Sequence, residues 1–246
     1  MNFPLCQEIQ SYGRVAICLS AGMSSCVLAA IAQKILGPKN VLAVSVETPF
    51  MPQGARERCA QLAAHLGLQY VVINCDFLSM PYQMLQERTL RFYRYKAFIY
   101  SQLKDVAKVH SVTHLLDASH SEPLGLESYE AQDNERARRE FHIISPFKNQ
   151  GMNLDDIRQE GRIYGLDESF CRGAVDSCLL SRFACDIAIT EKDLMDIRAV
   201  EASYQALGFV NCRLRMVAWN CLQLEVPKVE LRAMCMLHPP FPIRVV

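Results

Sequence analysis

Ser20-Ala21-Gly22-Met23-Ser24-Ser25 follows the apolar run Val15-Ala16-Ile17 and precedes Cys26-Val27-Leu28-Ala29. A strand that ends in a tight glycine turn and opens a helix aims several backbone N–H groups, and the positive end of the helix dipole, at one point. Anions bind there without a charged side chain, and the hydroxyls of Ser20, Ser24 and Ser25 add donors. Neither GxxxxGK[ST] nor GxGxxG is present, so this is neither a Walker loop nor a dinucleotide fingerprint. A second group of reactive residues is Cys171, Cys178 and Cys185, spaced evenly in SFCRGAVDSCLLSRFACD. Three thiolates are enough to hold an iron–sulfur cluster, although this spacing is unlike the common cluster motifs. Arg213 and Arg215 alternate along one strand, which gives one face two guanidinium groups suited to phosphate or carboxylate.

The surrounding sequence supplies the scaffold. Residues 14–19, 41–47, 69–75, 113–119 and 142–147 read as strands. Helical patterns at 24–36, 55–67 and about 82–109 separate them, the first two stopped by Gly37-Pro38 and Gly67. Strands alternating with helices indicate a parallel sheet covered on both faces, with ligands beyond the carboxyl ends of the strands. Segments 20–25, 47–52, 117–124 and 145–148 fall there. Glu47-Thr48, at the end of the second strand, suits adenine and ribose recognition. The charged stretch 127–140 reads as a solvated helix or loop, and Asn153 as the N-cap of a helix ending near Gly165. From about residue 167 the pattern changes: a loop to 189, a helix opened by the capping box Thr190-Glu-Lys-Asp, then two alternating strands. We therefore expect an α/β protein with a parallel five-stranded doubly wound sheet over residues 1–166 and a small α+β domain over 167–246.

Bulk composition narrows the field. The chain has 246 residues and no net charge, with 26 basic and 26 acidic side chains, so no basic surplus argues for nucleic acid. The start, MNFPLCQEIQSYGR, has no secretory pattern, and no apolar run is long enough for a bilayer, so a cytoplasmic protein is expected. Of the eleven cysteines, Cys18, Cys59, Cys75, Cys212 and Cys221 sit among apolar neighbours and read as small core hydrophobes. The absence of any CxxC argues against a zinc ribbon or a thioredoxin-type site.

Several stretches together resemble the PP-loop ATP pyrophosphatases (adenine nucleotide alpha-hydrolase-like fold), and within them the LarE-like sacrificial sulfur transferases. They are LSAGMSSCVLA, VLAVSVETPFMP, RFYRYKAFIYSQLKDVAK, LDASHSEP, SPFKNQGMNLDDIRQEGRIYGL, SCLLSRFACDIAITEKDL and LGFVNCRLR. The resemblance spans about residues 13–227. It implies a nucleotide site at Ser20, Ala21, Gly22, Met23, Ser24 and Ser25 with Glu47 and Thr48, used by ATP with Mg²⁺. It implies that a substrate carboxylate is adenylylated and that Cys178 then gives up its sulfur, leaving dehydroalanine. The acceptor in the family is a pyridinium dicarboxylate mononucleotide. Glu201 matches an acidic residue near sulfur transfer, and Arg213 and Arg215 match residues that hold substrate phosphate. To attack, Cys178 must be a thiolate, which Arg172 and Arg182 would favour. Family members form homo-oligomers, so one is expected here.

The departures from the pattern keep other readings open. Ser24 stands where the family loop has aspartate, and Ala21 where it has glycine. FYRYK replaces CYxCK, and the carboxylate after the fourth strand is missing, with Asp117 and Glu122 nearby. Loss of a metal-binding carboxylate beside phosphates weakens turnover more than binding. One alternative is thus a catalytically degenerate nucleotide-binding protein. Another is an iron–sulfur-dependent sulfur transferase with Cys171, Cys178 and Cys185 as cluster ligands.

Overall fold

The computed structural model describes residues 2–81, 84–85, 90–121, 128–171, 178–184, 187–209, 212–219, 221–237 and 239–245. The nucleotide-loop half runs α1 (Phe3–Tyr12), β1 (Val15–Cys18), α2 (Met23–Leu36), β2 (Val41–Glu47), α3 (Ala55–Leu66), β3 (Gln69–Asn74), α4 (Arg91–Val109), β4 (His114–Leu116), α5 (Ser128–Glu140) and α6 (Leu154–Ile163). After it come α7 (Glu191–Ala206), β5 (Arg213–Ala218), β6 (Cys221–Val226), α8 (Leu231–Met236) and β7 (Ile243–Val245). The capping boxes at Asn153/Asp156 and Thr190/Asp193 both form.

β1 pairs in parallel with β2 and β4, and β2 with β3, giving the order β3-β2-β1-β4. A central parallel strand is covered on both faces and needs a continuous apolar run. VLAVSVE meets that demand, with every residue before Glu47 buried. Alternate residues feed two separate cores. Ala16, Leu42 and Val44 pack with Tyr95, Ile99 and Leu103 of α4. Val15, Ile17, Val41 and Ala43 pack with α2, with Leu5 and Ile9 of α1, and with Ile157 of α6. Each fully buried aliphatic side chain contributes about 1.5–3 kcal/mol. Helices α2 and α6 touch closely at Gly161, where an added Cβ would lie 2.8 Å from Val27 Cγ2 and 3.1 Å from Cys171 Sγ.

The expected fifth strand is a correction. Among the described residues the parallel sheet has four strands, and segment 142–147 adds only the bridge between Leu116 and Ile144. Ile144 N–H donates to Leu115 O at 2.8 Å, and Asp117 N–H donates to Ile144 O at 2.9 Å. Pro146 then ends the pairing, because it has no N–H to donate and its fixed φ opens the helical turn Pro146–Asn149. β4 is likewise shorter than its pattern: Ser119 N–H donates to Asp117 Oδ1 at 3.1 Å, a local turn in place of a ladder bond.

The second sheet has three strands, not two: β5 and β6 are antiparallel, and β7 adds to β6 in parallel. Phe183 bridges Met216, and Ala184 N–H donates to Met216 O at 3.0 Å, so the segment before α7 runs beside β5. Fully buried Arg91 secures that segment by donating to Met84 O at 3.2 Å, Ala184 O at 2.9 Å and Ile187 O. Leu179, Leu180, Phe183, Leu194, Leu214 and Leu224 join the core beneath α4. The division near residue 166 that we propose therefore separates two sheets that share one apolar core. No helix among the described residues is long and apolar enough to cross a membrane.

Candidate functional site

The loop after β1 is built to leave its donors free. Gly22 is the N-cap of α2 and no side chain caps the helix, so its first-turn N–H groups have no side-chain acceptor. Ser25 closes the turn from inside: its Oγ accepts from Ser20 N–H and faces Ser20 Oγ, both at 3.3 Å, and donates to Gly22 O at 2.9 Å. Met23 is buried, so it offers the loop backbone only, while Ser20 and Ser24 are reachable. Ala21 sits at φ 63°, where a Cβ is strained and glycine is not. Arg58 from α3 steadies the turn, its Nε donating to Ala21 O at 2.9 Å and its Nη2 to Phe170 O at 3.1 Å.

Cys178 lies against the turn that follows β2. Leu179 N–H donates to Phe50 O at 2.8 Å, and the Cys178 carbonyl accepts from Ser181 N–H at 3.0 Å and its hydroxyl at 2.9 Å. The Cys178 side chain packs, partly buried, against the core that contains Tyr95. Tyr95 Oη is in turn 2.8 Å from Thr48 Oγ1 at the end of β2. Lys96, the next residue on α4, acts electrostatically on Cys178 and also on Cys18 at the end of β1.

Burial pushes the Cys178 thiol up, and the opposing pull of neighbouring groups, Lys96 and Arg182 among them, does not reverse it. Arg182 has its charge matched elsewhere: it forms a buried two-bond ion pair with Glu201, at 2.8 and 3.2 Å. Glu201 Oε1 also accepts from Leu214 N–H at 2.8 Å, so this carboxylate ties the 179–182 turn, α7 and β5 together. Arg172, Cys185 and Glu122 lie outside the described residues.

Arg213 and Arg215 flank buried Leu214 on β5, both partly buried. Arg215 Nη1 is 3.2 Å from Glu225 Oε1 on β6, an acceptor that also takes Arg244 at 3.5 Å. A cleft of about 400 Å³ opens beside the end of β2, lined by Glu47, Thr48, Met51, Gly54, Arg56 and Arg198 among others. Neither Arg213 nor Arg215 lines it. Arg198 crosses from α7 to donate to Pro49 O and, at 2.8 Å, to Met51 O. Sequence reading passed over Tyr95, Lys96, Arg58 and Arg198. The FYRYK departure pointed at the first two, and nothing local marked the others.

Cys171 and Cys178 lie apart. Cys171 is buried in the core beneath α2, whereas Cys178 packs against the core on the other face of the sheet. Among the described residues no group of three His, Cys, Asp or Glu side chains could hold a metal ion. The donors near the loop do not fit a protein-held Mg²⁺ either. Ser24 offers a hydroxyl where a carboxylate is wanted. Both oxygens of Asp117 are already taken by Tyr100 at 2.6 Å, Ser119 at 2.8 and 3.1 Å, and Ser145 at 2.5 Å.

The NAD synthase family model matches residues 5–94, the span from α1 into α4 that contains the loop. The pyridinium-3,5-bisthiocarboxylic acid mononucleotide synthase of Lactiplantibacillus plantarum is 24% identical over 228 residues, covering 92% of this chain and 79% of that protein. An uncharacterized protein of Synechocystis sp. is 22% identical over 219 residues, 89% of this chain and 78% of its own.

Proposed function

For this LarE-like PP-loop protein, we propose an ATP-dependent sulfur transferase in cofactor biosynthesis, with Cys178 as the sulfur donor. The observation that carries this reading is the position of Cys178. Its turn is held to the segment after β2 by Leu179 N–H donating to Phe50 O at 2.8 Å, and β2 is the strand beside β1 and its anion loop. That is the edge of a parallel sheet where ligands bind.

In this account the backbone N–H groups of residues 21–25 hold nucleotide phosphate, with Ser20 and Ser24 adding hydroxyl donors. Glu47 and Thr48 border the cleft for adenine and ribose. A substrate carboxylate oxygen attacks the α-phosphorus of ATP and pyrophosphate leaves. The Cys178 thiolate attacks the acyl carbon and AMP leaves, giving a thioester. Loss of the Cys178 Cα proton with cleavage of the Cβ–S bond then yields a thiocarboxylate and dehydroalanine at position 178. The resting thiol must lose its proton before attack, and Lys96 beside it favours that loss. Glu201 serves by holding Arg182 and the 179–182 turn. Arg213 and Arg215 serve as the substrate-phosphate clamp, which requires Arg215 to exchange Glu225 for the ligand. No step here is assigned to a protein-bound metal. Self-association through the small sheet and α8, which expose Trp219, Met236 and Val245, belongs to the same proposal.

A second reading, a nucleotide-binding protein without turnover, is favoured by Ser24 and the fully engaged Asp117. One experiment separates the two. The Cys178→Ala variant should bind AMP like the unaltered chain and transfer no sulfur to a pyridinium dicarboxylate mononucleotide. Undiminished transfer would remove Cys178 from the mechanism, and AMP binding with no AMP or pyrophosphate production by the unaltered chain would favour the second reading.

A further inference from the structure

The cleft beside the end of β2 is lined from both halves of the chain, and each half brings to it a buried polar atom without a partner. Glu47 on β2 pairs its Oε2 with Arg56 at 3.2 Å, while its Oε1 is buried and accepts from no group among the described residues. Arg198 reaches the same cleft from α7. Its Nη2 donates to the carbonyls of Pro49 and Met51, and its Nε is buried without an acceptor. Among the described residues no carboxylate pairs with it. A guanidinium has five N–H donors and does not shed its proton, so neutral carbonyls alone leave both donors and charge unmatched. The other charged side chains that line the cleft with these two, Arg56 and Glu57, are exposed, where salt screens them.

The same turn locates the reactive sulfur. Pro49 and Met51 bind Arg198, and Phe50 between them accepts from Leu179 N–H at 2.8 Å. The Cys178 turn and the Arg198 guanidinium therefore grip three consecutive residues. We propose that Arg198 binds the carboxylate of the acceptor that is not being activated, and so makes the site selective for dicarboxylates. The inference rests on the sulfur-transfer reading. A carboxylate loses its negative charge when it is adenylylated. A fixed guanidinium gains most from a group that stays anionic throughout, and a dicarboxylate keeps one. A planar carboxylate also fits the guanidinium fork. The acceptor's phosphate has a separate clamp in Arg213 and Arg215, which do not line this cleft. Glu47 Oε1 repels an anion and suits a hydroxyl, which agrees with ribose on the β2 side.

Binding to the full chain is followed by calorimetry without ATP, so that no sulfur moves. The probes are a pyridinium dicarboxylate mononucleotide, its monocarboxylate counterpart and AMP. The unaltered chain should bind the dicarboxylate about tenfold more tightly than the monocarboxylate, the effect of one charge-assisted contact. Arg198→Gln should abolish that preference by weakening the dicarboxylate alone, with AMP affinity unchanged, and Arg198→Lys should keep part of it. A preference that survives Arg198→Gln would overturn the proposal, as would its absence from the unaltered chain. An equal loss for all three probes would also overturn it, because Arg198 would then only hold the 49–51 turn. If circular dichroism shows that Arg198→Gln does not fold, phenylglyoxal modification of the unaltered chain decides. The dicarboxylate should protect Arg198 and the monocarboxylate should not, and equal protection would overturn the proposal. Failure of the sulfur-transfer reading looks different: Cys178 keeps its sulfur after ATP and the dicarboxylate are added, whatever the binding preference.

Discussion

Arg182 and Glu201 face each other in a buried two-bond ion pair, Nε to Oε1 at 2.8 Å and Nη2 to Oε2 at 3.2 Å. The side chains are 3% and 7% exposed, so neither charge has water to fall back on. Removing one partner strands the other. Arg182→Ala and Glu201→Ala should each cost about 3–5 kcal/mol in urea unfolding, while Arg182→Met with Glu201→Leu should cost less than their sum. Single losses under about 1 kcal/mol would show that the pair does not hold the Cys178 turn.

Ala21 adopts φ 63° as an L-residue, which costs about 1–2 kcal/mol relative to glycine. Ala21→Gly removes that strain and clears a methyl from the anion loop, but it also loosens the unfolded chain by about 0.4–1 kcal/mol. Stability should therefore rise by between about 0 and about 1.6 kcal/mol. Affinity for phosphate and AMP should increase, as read by calorimetry. Adding Ser24→Asp should raise ATP turnover. Unchanged AMP affinity in Ala21→Gly would place the nucleotide phosphate elsewhere.

Glu135 on α5 accepts from Lys148 and Arg138, and the Lys148 hydrogen bond leads in lowering its carboxyl to about 2. A depressed carboxyl stabilises the fold at pH values above its unfolded value of about 4.3 and loses that contribution as pH falls through about 2. Glu135→Gln should flatten the acid limb of stability between those values and leave the neutral region's slope unchanged. An identical acid limb in both proteins would contradict the assignment.

The residues differ in how far local sequence could reveal them. VLAVSVE is legible because a doubly covered strand demands an unbroken apolar run, and α2 because Gly37-Pro38 ends it. HIISPF looks like a strand, yet Pro146 limits it to one bridge at Ile144. β7 and α8 are too short to give a periodic pattern. In the site, the turn at 20–25 shows because its chemistry is contiguous. Tyr95 meets Thr48 across 47 residues, and Arg182 finds Glu201 across 19. Pairings made by tertiary packing leave no local periodicity, so the Arg182–Glu201 pair and the Thr48–Tyr95 contact have no signature in the sequence.

The central claim is that Cys178 surrenders its sulfur in a reaction driven by ATP. It is tested most directly by the mass of the Cys178 peptide after the full chain is incubated with ATP, Mg²⁺ and a pyridinium dicarboxylate mononucleotide. The account predicts the loss of one H₂S at residue 178, leaving dehydroalanine, together with AMP and pyrophosphate in solution. An intact Cys178 thiol, with neither AMP nor pyrophosphate formed, would contradict it.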